Sequence, residues 1–293
     1  MSEVGFVGLG NMGMPMARRL AAAGYHVRGY DVSAEIMREI GGLDGFTPAP
    51  GLTGLGTDVV LLSLPDSDVV EHVLLAGGLL DSVPEGGMVI DMSSSDPART
   101  RDLAARAAES RVALIDAPVS GGVAGARAGS LTIMVGGSPE AFELARPMLA
   151  AIGKRVVHAG DVGAGHAVKA LNNLMSAANL LASCEALIAG QRFGLDPAVM
   201  LEIINGSSGR SANTENKWPN HILTGKYDDG FAMRLMVKDI KLALGIQHAT
   251  GVPAAASEAV VATWESALAD SPADASHTAI ARWLATRAER PGL

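Results

Sequence analysis

Two kinds of hydrophobic pattern alternate through the first half of the chain. Short, nearly continuous apolar runs occupy residues 4–7, 26–30, 58–63, 88–90, 112–115, 131–135 and 155–157. Runs of that length read as strands buried on both faces. Between them, residues 14–23, 97–109 and 139–151 repeat apolar positions every three to four residues, which predicts helices. Strands alternating with helices predict an α/β domain with a mostly parallel, doubly wound sheet. The pattern changes around 160–165. Beyond it, Ala- and Leu-rich helical periodicity covers 167–193, 197–205, 233–250, 253–270 and 278–289, and no strand is expected. The chain therefore divides into an α/β domain over 1–162 and an all-helical domain over 163–293. The glycines near Gly163 read as a helix entry rather than a flexible tether.

Composition narrows the function. Of the 293 residues, 48% are hydrophobic and 18% charged, which suits packed cores and not a disordered chain. Aromatics make up only 4% and the net charge is −8, with no basic run. Stacking rings and a positive footprint are both missing, so no nucleic-acid partner is expected. The lone Cys184 excludes an intrachain disulfide and a multi-cysteine zinc site, so no metal is expected and the compartment reads as cytoplasmic. The start of the chain lacks the basic region of a signal peptide. The longest apolar stretch, 167–190, carries Lys169, Asn172, Asn173, Asn179 and Glu185. Those groups are costly in lipid, so it reads as a core helix and not a membrane span.

Directly after the first predicted strand comes Gly8-Leu9-Gly10-Asn11-Met12-Gly13, opening a helix. A tight turn at Gly8, close backbone approach at Gly10 and close helix packing at Gly13 are what a dinucleotide pyrophosphate requires. The helix N-terminus adds free N–H groups and a positive dipole end. The second strand ends in Asp31, where an acid accepts hydrogen bonds from a ribose diol. Its charge opposes a 2′-phosphate, and the following Val32-Ser33 offers no arginine, so NAD is expected in preference to NADP. Arg28 precedes Asp31 on the strand, facing either way. The alternative is a structural turn beside a surface Asp.

Three further segments hold candidate chemistry. Asp116-Ala117-Pro118-Val119-Ser120-Gly121-Gly122 follows the strand at 112–115. Ser120, Gly121 and Gly122 there form either a carboxylate cradle or a plain turn. Around Gly163-Ala164-Gly165, helical spacing places Lys169, Asn173 and Ser176 on one face. Lys169 in so apolar a helix suits proton transfer, while a structural lysine remains the alternative. Lys238-Asp239 reads as an exposed pair or as a helix that closes a cofactor site.

With these motifs in order, the chain resembles the β-hydroxyacid dehydrogenase family, in particular 3-hydroxyisobutyrate dehydrogenases and tartronate semialdehyde reductases. The resemblance rests on residues 5–17, 116–122 continued by 129–137, Gly163 to Gly165 with Lys169 and Asn172-Asn173, and Lys238-Asp239. It implies a Rossmann-type domain joined through a long helix to a helical domain for substrate and dimerisation. It implies an NAD-dependent enzyme that interconverts a small β-hydroxyacid and its semialdehyde, with Lys169 as general acid/base. By the same resemblance Asn173 is catalytic, Leu64, Pro65, Ser93 and Lys238 join Gly8 to Gly13 and Asp31 at the cofactor, and Ser120, Gly121, Gly122 and Asn173 contact substrate. The segment Ser207 to Arg210 fits the hydroxyisobutyrate branch, but Ser211-Ala212-Asn213 follows where that branch carries an aromatic. Arg210 reads as a partner for a second substrate anion or as a surface residue. A dimer or tetramer is expected. The rival readings are a reductase of a tartronate- or sulfonate-type semialdehyde, an imine reductase-like enzyme, and a non-catalytic NAD-binding sensor.

Overall fold

The structure, a computed structural model, describes residues 2–288. Contacts divide it into two compact units, Met1–Lys169 and Ala170–Leu293. The first unit is built on nine strands: β1 Glu3–Val7, β2 His26–Tyr30, β3 Phe46–Pro48, β4 Val59–Leu62, β5 Met88–Asp91, β6 Ala113–Asp116, β7 Val119–Ser120, β8 Leu131–Gly136 and β9 Gly153–Gly160. Their order is β3-β2-β1-β4-β5-β6-β8-β7, with β9 also pairing β8. Strands β1 to β6 are all parallel, β8 runs antiparallel to β6, and β9 is parallel to β8. The order 3-2-1-4-5-6 is that of doubly wound dinucleotide-binding sheets, in which strand order reverses between β1 and β4.

Period-two alternation builds a core on each face of this sheet. Val4 and Phe6 of β1, Leu61 of β4, Met88 and Ile90 of β5 and Ile115 of β6 enter one buried cluster. Their neighbours Val7, Val60, Leu62, Val89 and Leu114 enter the other. The helix Gly13–Ala22 buries Met16, Ala17 and Leu20, which join the first cluster. The helix Pro97–Glu109 buries Leu103 and Ala107 in the second. Asp96 caps that helix by accepting from the N–H groups of Ala98 and Arg99, and Pro97 sits where a missing N–H costs nothing.

The second unit is helical. The long helix Ala164–Phe193 begins in the first unit and continues into the second. Its Ala170, Leu174, Ala177, Leu181 and Cys184 lie on one stripe. They share a core with Met236, Val237 and Ile240 of the helix Met233–Ala249 and with Val261 and Trp264 of Ala255–Ala269. Its one β interaction among the described residues is an isolated bridge between Ala232 and Ser276.

The seven predicted strands and the main predicted helices all form, with ends shifted by a few residues. The last predicted helix appears as a 3₁₀ turn at His277–Ala279 followed by Ile280–Ala288, and Glu289 lies outside the described residues. Two strands had no readable pattern: β3 has three residues and ends in Pro48, and β7 has two. The stretch Asn213–Ile222 is a π-helix with Pro219 inside it, and it buries Trp218 and Ile222 within an otherwise mostly polar sequence.

Candidate active site

In a doubly wound sheet, ligands bind beyond the carboxyl ends of the strands. Gly8 leaves β1 with φ +87°, and its N–H donates to Tyr30 O at 3.0 Å. A Cβ on Gly8 would lie 2.3 Å from Ser63 O, and one on Gly13 would lie 1.8 Å from Gly8 O. The turn and its contact with the helix thus exclude any side chain at these two positions. A Cβ on Gly10 would meet nothing, so the protein itself does not demand glycine there. Open space at Gly10 is what close approach by an outside group requires.

Asp31 sits beside this turn. Its carboxylate accepts from the N–H of Leu9 at 2.8 Å and from that of Ser33 at 2.8 Å. A carboxylate has about four acceptor positions, so two further donors, such as ribose hydroxyls, can be served. Arg28 reaches away to Gly54 O at 2.9 Å and lies 3.8 Å from Glu3. The loops after β4 and β5 are tied to each other and to this turn. Leu64 comes within 3.1 Å of a Cβ placed on Gly8. Its N–H donates to Ser93 Oγ at 2.9 Å, and the Ser93 N–H donates to Asp91 Oδ1 at 2.9 Å. Pro65 follows, exposed. A dinucleotide fits these residues: an open glycine turn, a carboxylate with acceptor positions to spare, and two braced loops.

Ser120 ends β7, paired with Thr132 of β8, and Gly121 and Gly122 are exposed at the start of a short helix. Just before them, Asp116 at the end of β6 is fully buried. Its carboxylate accepts from the N–H of Gly163 at 2.6 Å and from that of His166 at 2.7 Å. Burial pushes the Asp116 carboxyl up, against the opposing pull of His166 and of these two N–H groups. The acid that opens the sequence motif is therefore a bracket for the start of the long helix.

Lys169 is half-buried on that helix, and Asn173 follows one turn later, 6% exposed. Asn173 Nδ2 donates to Asp239 Oδ2 at 2.6 Å, and Asn172 Nδ2 lies 3.3 Å from Asn173 Oδ1. Lys238 Nζ lies 3.0 Å from the other Asp239 oxygen, with Asp239 only 2% exposed. Lys238-Asp239 is therefore not an exposed pair. Asp239 orients the Asn173 amide, a role that sequence spacing does not reveal. Arg210 is exposed and pairs with Glu215 at 2.7 Å.

Residues 3–160 match the family described as the NAD binding domain of 6-phosphogluconate dehydrogenase. Residues 163–284 match the NAD-binding family of NADP-dependent 3-hydroxyisobutyrate dehydrogenase. The chain is 42% identical to 2-(hydroxymethyl)glutarate dehydrogenase of Eubacterium barkeri, over 86% of this chain and 84% of that one. It is 39% identical to human mitochondrial 3-hydroxyisobutyrate dehydrogenase, over 86% of this chain and 77% of that one. Among solved structures, a 3-hydroxyisobutyrate dehydrogenase of Mycobacterium tuberculosis with L-serine superposes with a TM-score of 0.88 at 30% identity, covering 97% of this chain and 99% of that one. Fold, glycine turn and relatives together define an NAD(P)-dependent dehydrogenase acting on hydroxyl groups. The chain belongs to the β-hydroxyacid dehydrogenase family.

Proposed function

We propose that the substrate is a 3-hydroxypropanoate bearing a substituent on carbon 2, oxidised at its primary alcohol to the semialdehyde. The relatives support this class. 3-Hydroxyisobutyrate and 2-(hydroxymethyl)glutarate, named for two of them, and the L-serine bound to a third share that fragment and differ at carbon 2.

In this reading the substrate carboxylate docks on Ser120 and the backbone N–H groups of Gly121 and Gly122. Lys169 and Asn173 bracket the hydroxyl. A nicotinamide cofactor, when bound, would supply the hydride acceptor for oxidation at the carbinol carbon and the hydride donor for reduction. Lys169 takes the hydroxyl proton in the first direction, and its ammonium donates a proton to the carbonyl oxygen in the second. Asn173, its amide turned by Asp239, holds the oxygen beside Lys169. The observation that supports this most is the Asn173–Asp239 bond of 2.6 Å, which fixes a buried amide one helical turn from Lys169. Gly8, Gly10, Asn11, Met12, Gly13, Asp31, Leu64, Pro65, Ser93 and Lys238 are the residues assigned to the cofactor.

NAD is the preferred cofactor, because Asp31 opposes a 2′-phosphate and Arg28 is turned toward Gly54. Exposed Phe193, Val199 and Ile203 support self-association into a dimer or tetramer, which sedimentation velocity tests. The buried thiol of Cys184 accords with a cytoplasmic protein. Among the described residues no helix is long and apolar enough to cross a membrane. The deciding assay offers a panel of 2-substituted 3-hydroxypropanoates with NAD and NADP and follows nicotinamide absorbance. Turnover with NAD supports the reading. Cofactor binding without turnover of any member refutes it.

A further inference from the structure

Three buried titratable side chains meet beneath the first turn of the long helix, all within the first unit. Asp91 and Asp116 are registered partners at the ends of β5 and β6. Both carboxylates turn back to grip backbone. Asp91 accepts from the Ser93 N–H and from the Ser95 hydroxyl at 3.0 Å, and Asp116 accepts from Gly163 and His166. Room for the second grip is made at Gly165, where a Cβ would lie 2.2 Å from Met134 O and 2.8 Å from Asp116 Oδ2.

The His166 ring fills the space between these acids. It is 1% exposed, with Nε2 3.8 Å from Asp91 Oδ2 and Nδ1 3.9 Å from Asp116 Oδ2. Nδ1 also lies 2.9 Å from Thr100 Oγ1, on the helix Pro97–Glu109. The Thr100 hydroxyl donates to Asp96 O at 2.9 Å, so it is left to accept from Nδ1–H. Nε2 has no hydrogen-bond partner among the described residues. An apolar side chain would fill this place without leaving a buried nitrogen unmet, so packing alone does not account for a histidine here. His166 stands three residues before Lys169, on the same helical face.

We propose that His166 is a positioning residue: wedged between Asp91 and Asp116 and held by Thr100, it fixes the rotation of the first helical turn and so the direction in which Lys169 presents its amine. This rests on the reading of Lys169 as the proton-transfer group. Asp91 also holds the Ser93 N–H and the Ser95 hydroxyl, while Asp116 holds the start of the long helix through Gly163 and His166. The acids facing His166 are Asp91 from β5 and Asp116 from β6, and Thr100 is its neutral partner.

The test compares His166→Ala, His166→Gln, Thr100→Val and Lys169→Ala in the full chain. Turnover is expressed per NADH-binding site, counted by fluorescence titration, and thermal midpoints are recorded alongside. In His166→Ala, kcat per site is expected to fall about ten- to a hundredfold, the scale for a misplaced catalytic group. NADH affinity and KM for the acid stay within threefold. His166→Gln, whose amide can still bond Thr100, recovers most of the loss, and Thr100→Val shows a smaller loss of the same kind. A kcat per site within twofold of the parent in His166→Ala overturns the proposal, as does His166→Gln behaving no better than His166→Ala. If His166→Ala does not fold, parental kcat in Thr100→Val overturns it. Near-parental turnover in Lys169→Ala sinks the lysine reading as well. An inactive Lys169→Ala beside a normal His166→Ala sinks the positioning role alone.

Discussion

Replacing Asp239 by Leu keeps a similar volume and removes both carboxylate oxygens. In the parent, Oδ2 accepts from Asn173 Nδ2 at 2.6 Å, and Oδ1 lies 3.0 Å from Lys238 Nζ. Leucine offers Asn173 no acceptor. Asp239 is 2% exposed, so water cannot restore the lost bond. A hydrogen bond to a buried charged group contributes about 1.5–3 kcal/mol. That cost falls on the placement of Asn173 in the transition state, so kcat drops by roughly ten- to a hundredfold. Lys169 keeps its own place on the long helix, so the loss is partial and smaller than that of Lys169→Ala. The assay is the initial rate of NADH formation on the best acid of the panel, with NADH affinity by fluorescence and thermal midpoint as controls. A kcat within twofold of the parent, at parental midpoint, would refute the role given to the Asn173–Asp239 bond.

Asp229 gives a prediction in pH. Burial pushes its carboxyl up, but hydrogen bonding to and the charge of His277, with Lys217 and Ser276, outweigh burial and hold it well below the usual carboxylate range. Its oxygens lie 3.0 Å from His277 Nδ1, 2.5 Å from Lys217 Nζ and 2.6 Å from Ser276 Oγ. A depressed native pKa means stability that is complete above the unfolded Asp value of about 3.9 and is lost as pH falls below it. Asp229→Asn is expected to flatten the decline of thermal midpoint below about pH 4 and to cost about 3–5 kcal/mol near neutrality, where it breaks a buried pair. An unchanged acid limb contradicts the assignment. Asp31→Ser removes the acceptor of the Leu9 and Ser33 N–H groups together with the charge that opposes a 2′-phosphate. NAD affinity is expected to fall at least tenfold and the ratio of NADP to NAD affinity to rise. Titration of both cofactors checks it, and an unchanged ratio speaks against the role of Asp31.

Much of this molecule is legible in its sequence because its signals are local. Continuous apolar runs such as Val59–Leu62, short and rich in β-branched residues, read as strands buried on both faces, and Pro97 after Asp96 marks a helix start. The glycine turn is legible for a similar reason, since Gly8 and Gly13 are demanded by contacts within a few residues or one strand away. What escapes is set by distant partners. Asp239 meets Asn173 across two helices, and His166 meets Asp91 and Asp116 from strand ends far back in the chain. Nothing in the spacing of these residues announces the pairing. Short elements escape as well, because two or three residues such as Val119–Ser120 cannot display a period.

In the proposed reaction Lys169 moves the hydroxyl proton of a 2-substituted 3-hydroxypropanoate, and a bound nicotinamide would supply the hydride acceptor. Single-turnover NADH formation by Lys169→Ala, with enzyme in excess over NAD and saturating acid, tests it most directly. NAD binding is expected to stay close to that of the parent, and the hydride-transfer rate to fall by about 10² to 10⁴-fold or more. A rate within a few-fold of the parent would contradict it.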